Sequence, residues 1–162
     1  MFLYRNWKRK DFCSERKIME AIMDFKKLES GLYAIKLSPG DDPIKCLSDF
    51  AQGEKVGGFF QGIGALKWAE LGYFDIETKE YLHNRVDGYF ELLSLMGNIV
   101  FVDNKPLVHA HIILGKRDNS TIGGHLFSGE VSVTGEIIFI PTDADEITRV
   151  KDEFTNLSLW KF

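Results

Sequence analysis

Three of the four histidines in this 162-residue chain fall in two short pieces, His109-Ala110-His111 and Gly123-Gly124-His125. The first lies in an apolar run over residues 108–114 that reads as a strand. Residues two apart on a strand point to the same face, so His109 and His111 present their imidazoles side by side. A polar turn over residues 116–120 and a glycine pair separate them from His125. If that turn folds the chain back, the third imidazole joins the other two. Three neutral imidazoles around one point form a transition-metal site with a fourth position open. Zinc is the expected ion, on ligand type and availability; nickel, copper and iron suit the same ligands. Such a site can activate water or polarise a carbonyl. The competing reading is a hydrogen-bonded histidine pair at a subunit contact. Glu91 is the candidate base, or the carboxylate that orients a metal-bound imidazole. It reads equally as a structural carboxylate paired with Arg85 or a backbone amide. His83 sits in a polar strand and is assigned no role, and Asp75 and Asp103 read as turn residues.

The elements around these residues are mostly strands. Residues 31–37 read as a strand, and 38–43 as a turn that leads into a helix. Asp42 is the expected N-cap, with Pro43 at the first helical position. Ile44, Leu47, Phe50 and Ala51 recur at helical spacing, and Gly53 is placed to end that helix. The glycine-dense run over 56–65 lacks the pattern of a phosphate-cradling loop and reads as a strand with bulges. Residues 65–75 and 81–86 form a hairpin. Residues 88–95 fit helix or strand, and 96–102 fit strand. Residues 103–106 turn the chain into the histidine strand. Residues 126–127 and 131–140 complete the sheet, 141–146 form a polar loop, and 157–160 are expected to close it as a last strand. One main helix among many strands predicts an α+β fold with a mostly antiparallel sheet.

Composition bounds the function. The chain is 44% hydrophobic and 27% charged, with a net charge of −4, which fits one ordinary globular domain. An acidic balance is not that of a simple nucleic-acid binder, which needs a clustered positive surface. No apolar run is long enough to cross a membrane. Cys13 and Cys46 lie in no metal-type spacing and read as free thiols, which places the chain in a reducing cytoplasm. Thirteen phenylalanines suggest a large aromatic core or an apolar face buried between subunits. Residues 1–24 read as a flexible N-terminal extension ahead of a domain over 25–162. Within the extension, the basic stretch Lys8-Arg9-Lys10 precedes a short helix from Ser14, and Met23 would serve as an alternative start.

Six segments occur in an order that matches a known family: Gly62-Ile63-Gly64-Ala65, Leu71-Gly72-Tyr73-Phe74-Asp75, Glu91 to Ile99, Pro106 to His111, Gly123-Gly124-His125-Leu126 and Val133-Thr134-Gly135-Glu136. Together they resemble the PPC ("plants and prokaryotes conserved") domain over roughly residues 25–140. The resemblance implies a fold on an antiparallel sheet, assembled as a homotrimer. It also implies a DNA-related regulatory role, since prokaryotic members are described as predicted DNA-binding proteins. In plant members an AT-hook carries DNA binding, and this sequence has no Arg-Gly-Arg-Pro hook. Plant members keep the segment that matches Glu91 to Leu95 but lack the histidines. The metal site is therefore expected as an addition in the prokaryotic branch. Whether it serves catalysis, ligand binding or structure is open at this level.

Overall fold

Long alternating runs of apolar and polar residues extend the backbone into strands far longer than the usual five or six residues. A computed structural model describes residues 23–143 and 147–161. In chain order these form β1 (Asp24–Lys27), β2 (Tyr33–Leu37), α1 (Pro43–Glu54), β3 (Gly57–Asp75), β4 (Glu80–Val102), β5 (Lys105–Gly115), β6 (Thr121–Thr142), β7 (Thr148–Lys151) and β8 (Ser158–Lys161). The main sheet is antiparallel throughout, in the order β1-β2-β6-β3-β4-β5. β5 also pairs with the start of β6, so β3, β4, β5 and β6 close into a ring at that end. This is the expected α+β fold, with a single helix among the described residues. The expected basic stretch, the helix from Ser14 and Cys13 lie outside the described residues.

Several boundaries differ from expectation. Residues 56–65 and 65–75 are one strand, β3, with register shifts near Gly64 and Trp68 where extra residues let it bend. The ambiguous run over 88–95 is part of the 23-residue β4. Phe90 and Leu92 alternate onto the inner face, and the register shift between Leu92 and Ser94 brings Leu95 to that face as well. The helix runs past Gly53 and ends at Lys55, which takes the left-handed conformation (φ 58°) and donates its N–H to the Ala51 carbonyl. The expected closing strand forms as β8, but it pairs with β7 in a separate two-stranded sheet.

The core lies between the inner face of the sheet and α1. Leu66, Leu95, Leu114, Leu126 and Phe139 are fully buried, and α1 adds Leu47, Phe50 and Ala51. Phe50 and Phe139 meet edge to face with ring centres 5.1 Å apart, and Tyr33 packs edge to face against Phe50 at the same distance. Asp42 joins helix to sheet. Its Oδ1 accepts from the N–H groups of Ile44 (2.8 Å) and Lys45 (3.0 Å), while Oδ2 accepts from the Ser128 hydroxyl and the Gly129 N–H. Asp42→Ala removes the helix cap and both ties to β6. It is expected to lower the unfolding free energy by about 2 kcal/mol, read from urea denaturation.

Candidate metal centre

Two turns set the register of the histidine strand. Asp103 and Asn104, both at positive φ (51° and 61°), make the two-residue turn that pairs Val102 with Lys105. That pairing puts Asn98 opposite His109 and Met96 opposite His111. On the other side of β5, Lys116 donates to the Ser120 carbonyl, and Asp118 accepts from the N–H and hydroxyl of Ser120. This turn folds the chain back as expected and sets His125 directly opposite His111. The imidazoles lie on the outward face of the sheet, because Ala110, Ile112 and Leu114 take the inward positions of β5.

The three rings converge. Nε2 of His109 and Nε2 of His111 are 3.3 Å apart, and one potential ligand nitrogen from each histidine lies within 4.8 Å of the others. Zinc–nitrogen bonds of about 2.05 Å in a tetrahedron require nitrogens about 3.3 Å apart. The His109–His111 pair already has that spacing, and His125 needs to close by at most about 1.5 Å. Nδ1 of His125 is buried with no hydrogen-bond partner. A buried ring nitrogen without a partner, on an imidazole that stands beside two others, fits a metal ion. His109 and His125 are half-buried, and His111 is exposed. Burial, then the other imidazoles, hold the His125 pKa down from 6.5 to about 4. Burial, then the Arg149 cation and His111, lower that of His109. Both are therefore neutral, as ligation requires, at pH 7.

Sequence reasoning did not find the residues that support this cluster. Arg149 on β7 donates through Nη2 to Asn98 Oδ1 (2.9 Å) and to His109 Nδ1 (3.3 Å), and through Nη1 to the Ser158 carbonyl (2.6 Å). Trp160 on β8 donates to the same Asn98 oxygen (3.3 Å) and meets Phe59 edge to face. The β7–β8 hairpin thus docks beside the histidines. Tyr81 and Phe127 pack on the His125 ring, at 5.1 and 4.6 Å between centres. His109 and His111 line an open pocket of about 440 Å³ with Phe59, Phe60, Gln61, Met96, Asn98 and Ile140.

Other residues singled out in the sequence lie elsewhere. Glu91 is exposed and pairs across β5 with Gly115, four residues from His111. It lines a different pocket, with Ile63, Leu93, Val133 and Glu136. The structure does not bring it to the imidazoles. Nor is it the partner of Arg85, which binds Asp87 (3.0 Å). His83 accompanies Glu70 (2.7 Å) and stacks on Phe127. Asp75 caps its turn as expected, accepting from the N–H groups of Glu77 and Thr78. Cys46 is a free, buried thiol whose pKa burial and the nearby Asp41, Asp42 and Asp49 push up to about 12, which removes it as a nucleophile or ligand.

A family profile for the Plants and Prokaryotes Conserved (PCC) domain, also written PPC, matches residues 25–143. The chain belongs to the PPC family. Among solved structures, it is similar to a PPC protein from Pyrococcus horikoshii (30% identity, 90% of this chain and 98% of that one, TM-score 0.74). It is also similar to a metal-containing protein from Archaeoglobus fulgidus (32% identity, 88% and 100%, TM-score 0.74). A third, from Bacteroides thetaiotaomicron, is described as a "putative DNA-binding protein" (26% identity, 87% and 98%, TM-score 0.82). No curated protein matches the chain. No helix among the described residues is long and apolar enough to cross a membrane.

Proposed function

We propose that this PPC protein binds a divalent transition metal, zinc by preference, through His109, His111 and His125, and uses the open coordination position to bind a small molecule. The observation that carries this reading is the convergence of three imidazole nitrogens within 4.8 Å at the wall of a pocket. The metal-containing Archaeoglobus protein, 32% identical over nearly the whole fold, supports it. An ion held there would supply a Lewis acid that polarises a ligand oxygen. His109 and His111 project the ligand nitrogens from one strand, and Asn98 and Arg149 hold the His109 ring in place. Whether bound molecules react depends on a base within reach, and Glu91, in a separate pocket, would act only through a neighbouring copy of the chain. The test is X-ray fluorescence with anomalous scattering at the metal edge. One ion within about 2.3 Å of all three imidazoles is the expected result; a metal-free site in protein supplied with zinc refutes the reading.

The proposal extends to assembly and setting. Ile63, Leu93, Met96, Ile113 and Val133 are exposed apolar residues on the outward face of the sheet, which supports the homotrimer that the family resemblance implies. The trimer should sediment at about three times the 18.5 kDa of the chain. The family match from residue 25 and the start of β1 at Asp24 support one domain over 25–162 with an extension over 1–24. The free thiol of Cys46 supports a cytoplasmic setting. A second reading, DNA-linked regulation, is favoured by the description of the Bacteroides neighbour. It requires a duplex mobility shift that weakens steeply with salt, and no shift at low salt excludes it.

A further inference from the structure

The charge around the three histidines is one-sided. The pocket in front of them is lined by amides, apolar side chains and the imidazoles, and by no carboxylate. A divalent ion on three neutral imidazoles keeps its full double charge. Behind His109 and Asn98 stands Arg149, whose guanidinium pairs with no carboxylate among the described residues. Its Nε is buried without a hydrogen-bond partner. A cation set at the back of a site, paired with no carboxylate among the described residues, favours negative charge in front. The apolar members of the lining, Phe59, Phe60, Met96 and Ile140, suit a hydrocarbon part, and Gln61 and Asn98 offer amides for orientation.

Resting on the metal reading above, we infer that the molecule bound at the open position is a small organic anion, a carboxylate with an apolar body, and that Arg149 is the positioning residue that sets this preference. Arg149 acts through space and through the Asn98 and His109 rotamers it holds, since it does not line the pocket. A unit charge about 6 Å away in a half-buried site changes anion affinity about tenfold or more.

The test uses the full chain loaded with cobalt(II), read by its visible absorption during titration with butyrate, butyramide and butylammonium. Butyrate is expected to change the spectrum saturably, butyramide at least about tenfold more weakly and butylammonium not at all. Arg149→Gln, supplied with enough cobalt to bring it back to one bound equivalent, is expected to weaken butyrate about tenfold. Arg149→Lys keeps the charge and is expected to retain most of the affinity even if the Gln variant folds poorly. Equal binding of butyrate and butyramide, or full butyrate affinity in folded Arg149→Gln, overturns the inference and leaves the metal site standing. Failure of the wild-type chain to take up cobalt overturns both.

Discussion

Protein carrying both His109→Ala and His111→Ala is expected to purify without transition metal, and the wild-type chain with about one equivalent. The two residues supply the nitrogen pair already at ligand spacing, 3.3 Å apart. Without them His125 alone remains, and one imidazole competes poorly with water and buffer. Changing even an outer partner of a metal ligand costs about 10–100-fold in affinity, so loss of two ligands is expected to cost at least about 10³-fold. The fold is expected to survive, because both side chains face outward while Ala110 and Ile112 hold the core side of β5. Metal analysis and circular dichroism on one preparation separate loss of the site from loss of the structure. Protons compete for the same nitrogens. Burial shifts that competition down: the wild-type chain is expected to release its ion on acidification between pH 6.5, the ordinary imidazole value, and about 4, where His125 protonates. Release of the ion already above pH 6.5 in a pH-stepped dialysis would contradict ligation by His109 and His125.

Gly97→Ala is expected to be among the most disruptive small substitutions in the sheet. A Cβ at residue 97 would lie 2.0 Å from the His109 carbonyl oxygen and 2.6 Å from the Phe60 ring. The obstacle is backbone of the neighbouring strand, so β5 must move away from β4 and the ladder between them must weaken. Overpacking of this kind costs about 3 kcal/mol, in the upper range for single substitutions. Because the strand that moves carries His109 and His111, metal affinity is expected to fall with stability. Gly53→Ala is the contrast. That glycine sits in α1 with nothing within 4 Å of an added Cβ, so the change is expected to stabilise by about 0.5–1 kcal/mol. Urea denaturation of the two variants beside the wild type tests both signs; a neutral Gly97→Ala would show that the β4–β5 contact is looser than described.

The histidine centre was legible because its information is local. Two-residue spacing on a strand and a five-residue polar turn were enough to bring His125 opposite His111. Asn98 was equally within reach. The Asp103-Asn104 turn pairs 102 with 105, and counting back four residues on each side gives 98 opposite 109. Arg149 carried no such signal: it sits on a four-residue strand that pairs only with β8, and its contact with His109 depends on tertiary docking. Glu91 was misplaced for a related reason. It shares β4 with Asn98, but seven residues of extended chain span about 23 Å, and sequence neighbours on a long strand are distant in space. The helical alternative for 88–95 failed because cross-strand packing outweighs local preference in a segment rich in Leu.

The ring of strands is not equally strong all the way round. β3 and β4 match along 16 residue pairs, whereas β5 and β6 match along only five, from Gly115–Thr121 to His111–His125. That short ladder is the seam of the ring, and its last rung pairs His111 with His125, two of the three proposed metal ligands. An ion there would act as a clasp, joining the two strands where their hydrogen bonds run out. Backbone amides along the seam would then exchange with deuterium slowly in the loaded protein and much faster after chelation, while those of the β3–β4 ladder would hardly respond. With an ion bound, the cluster that looks like a chemical site would, by its place in the ladder, also fasten the sheet.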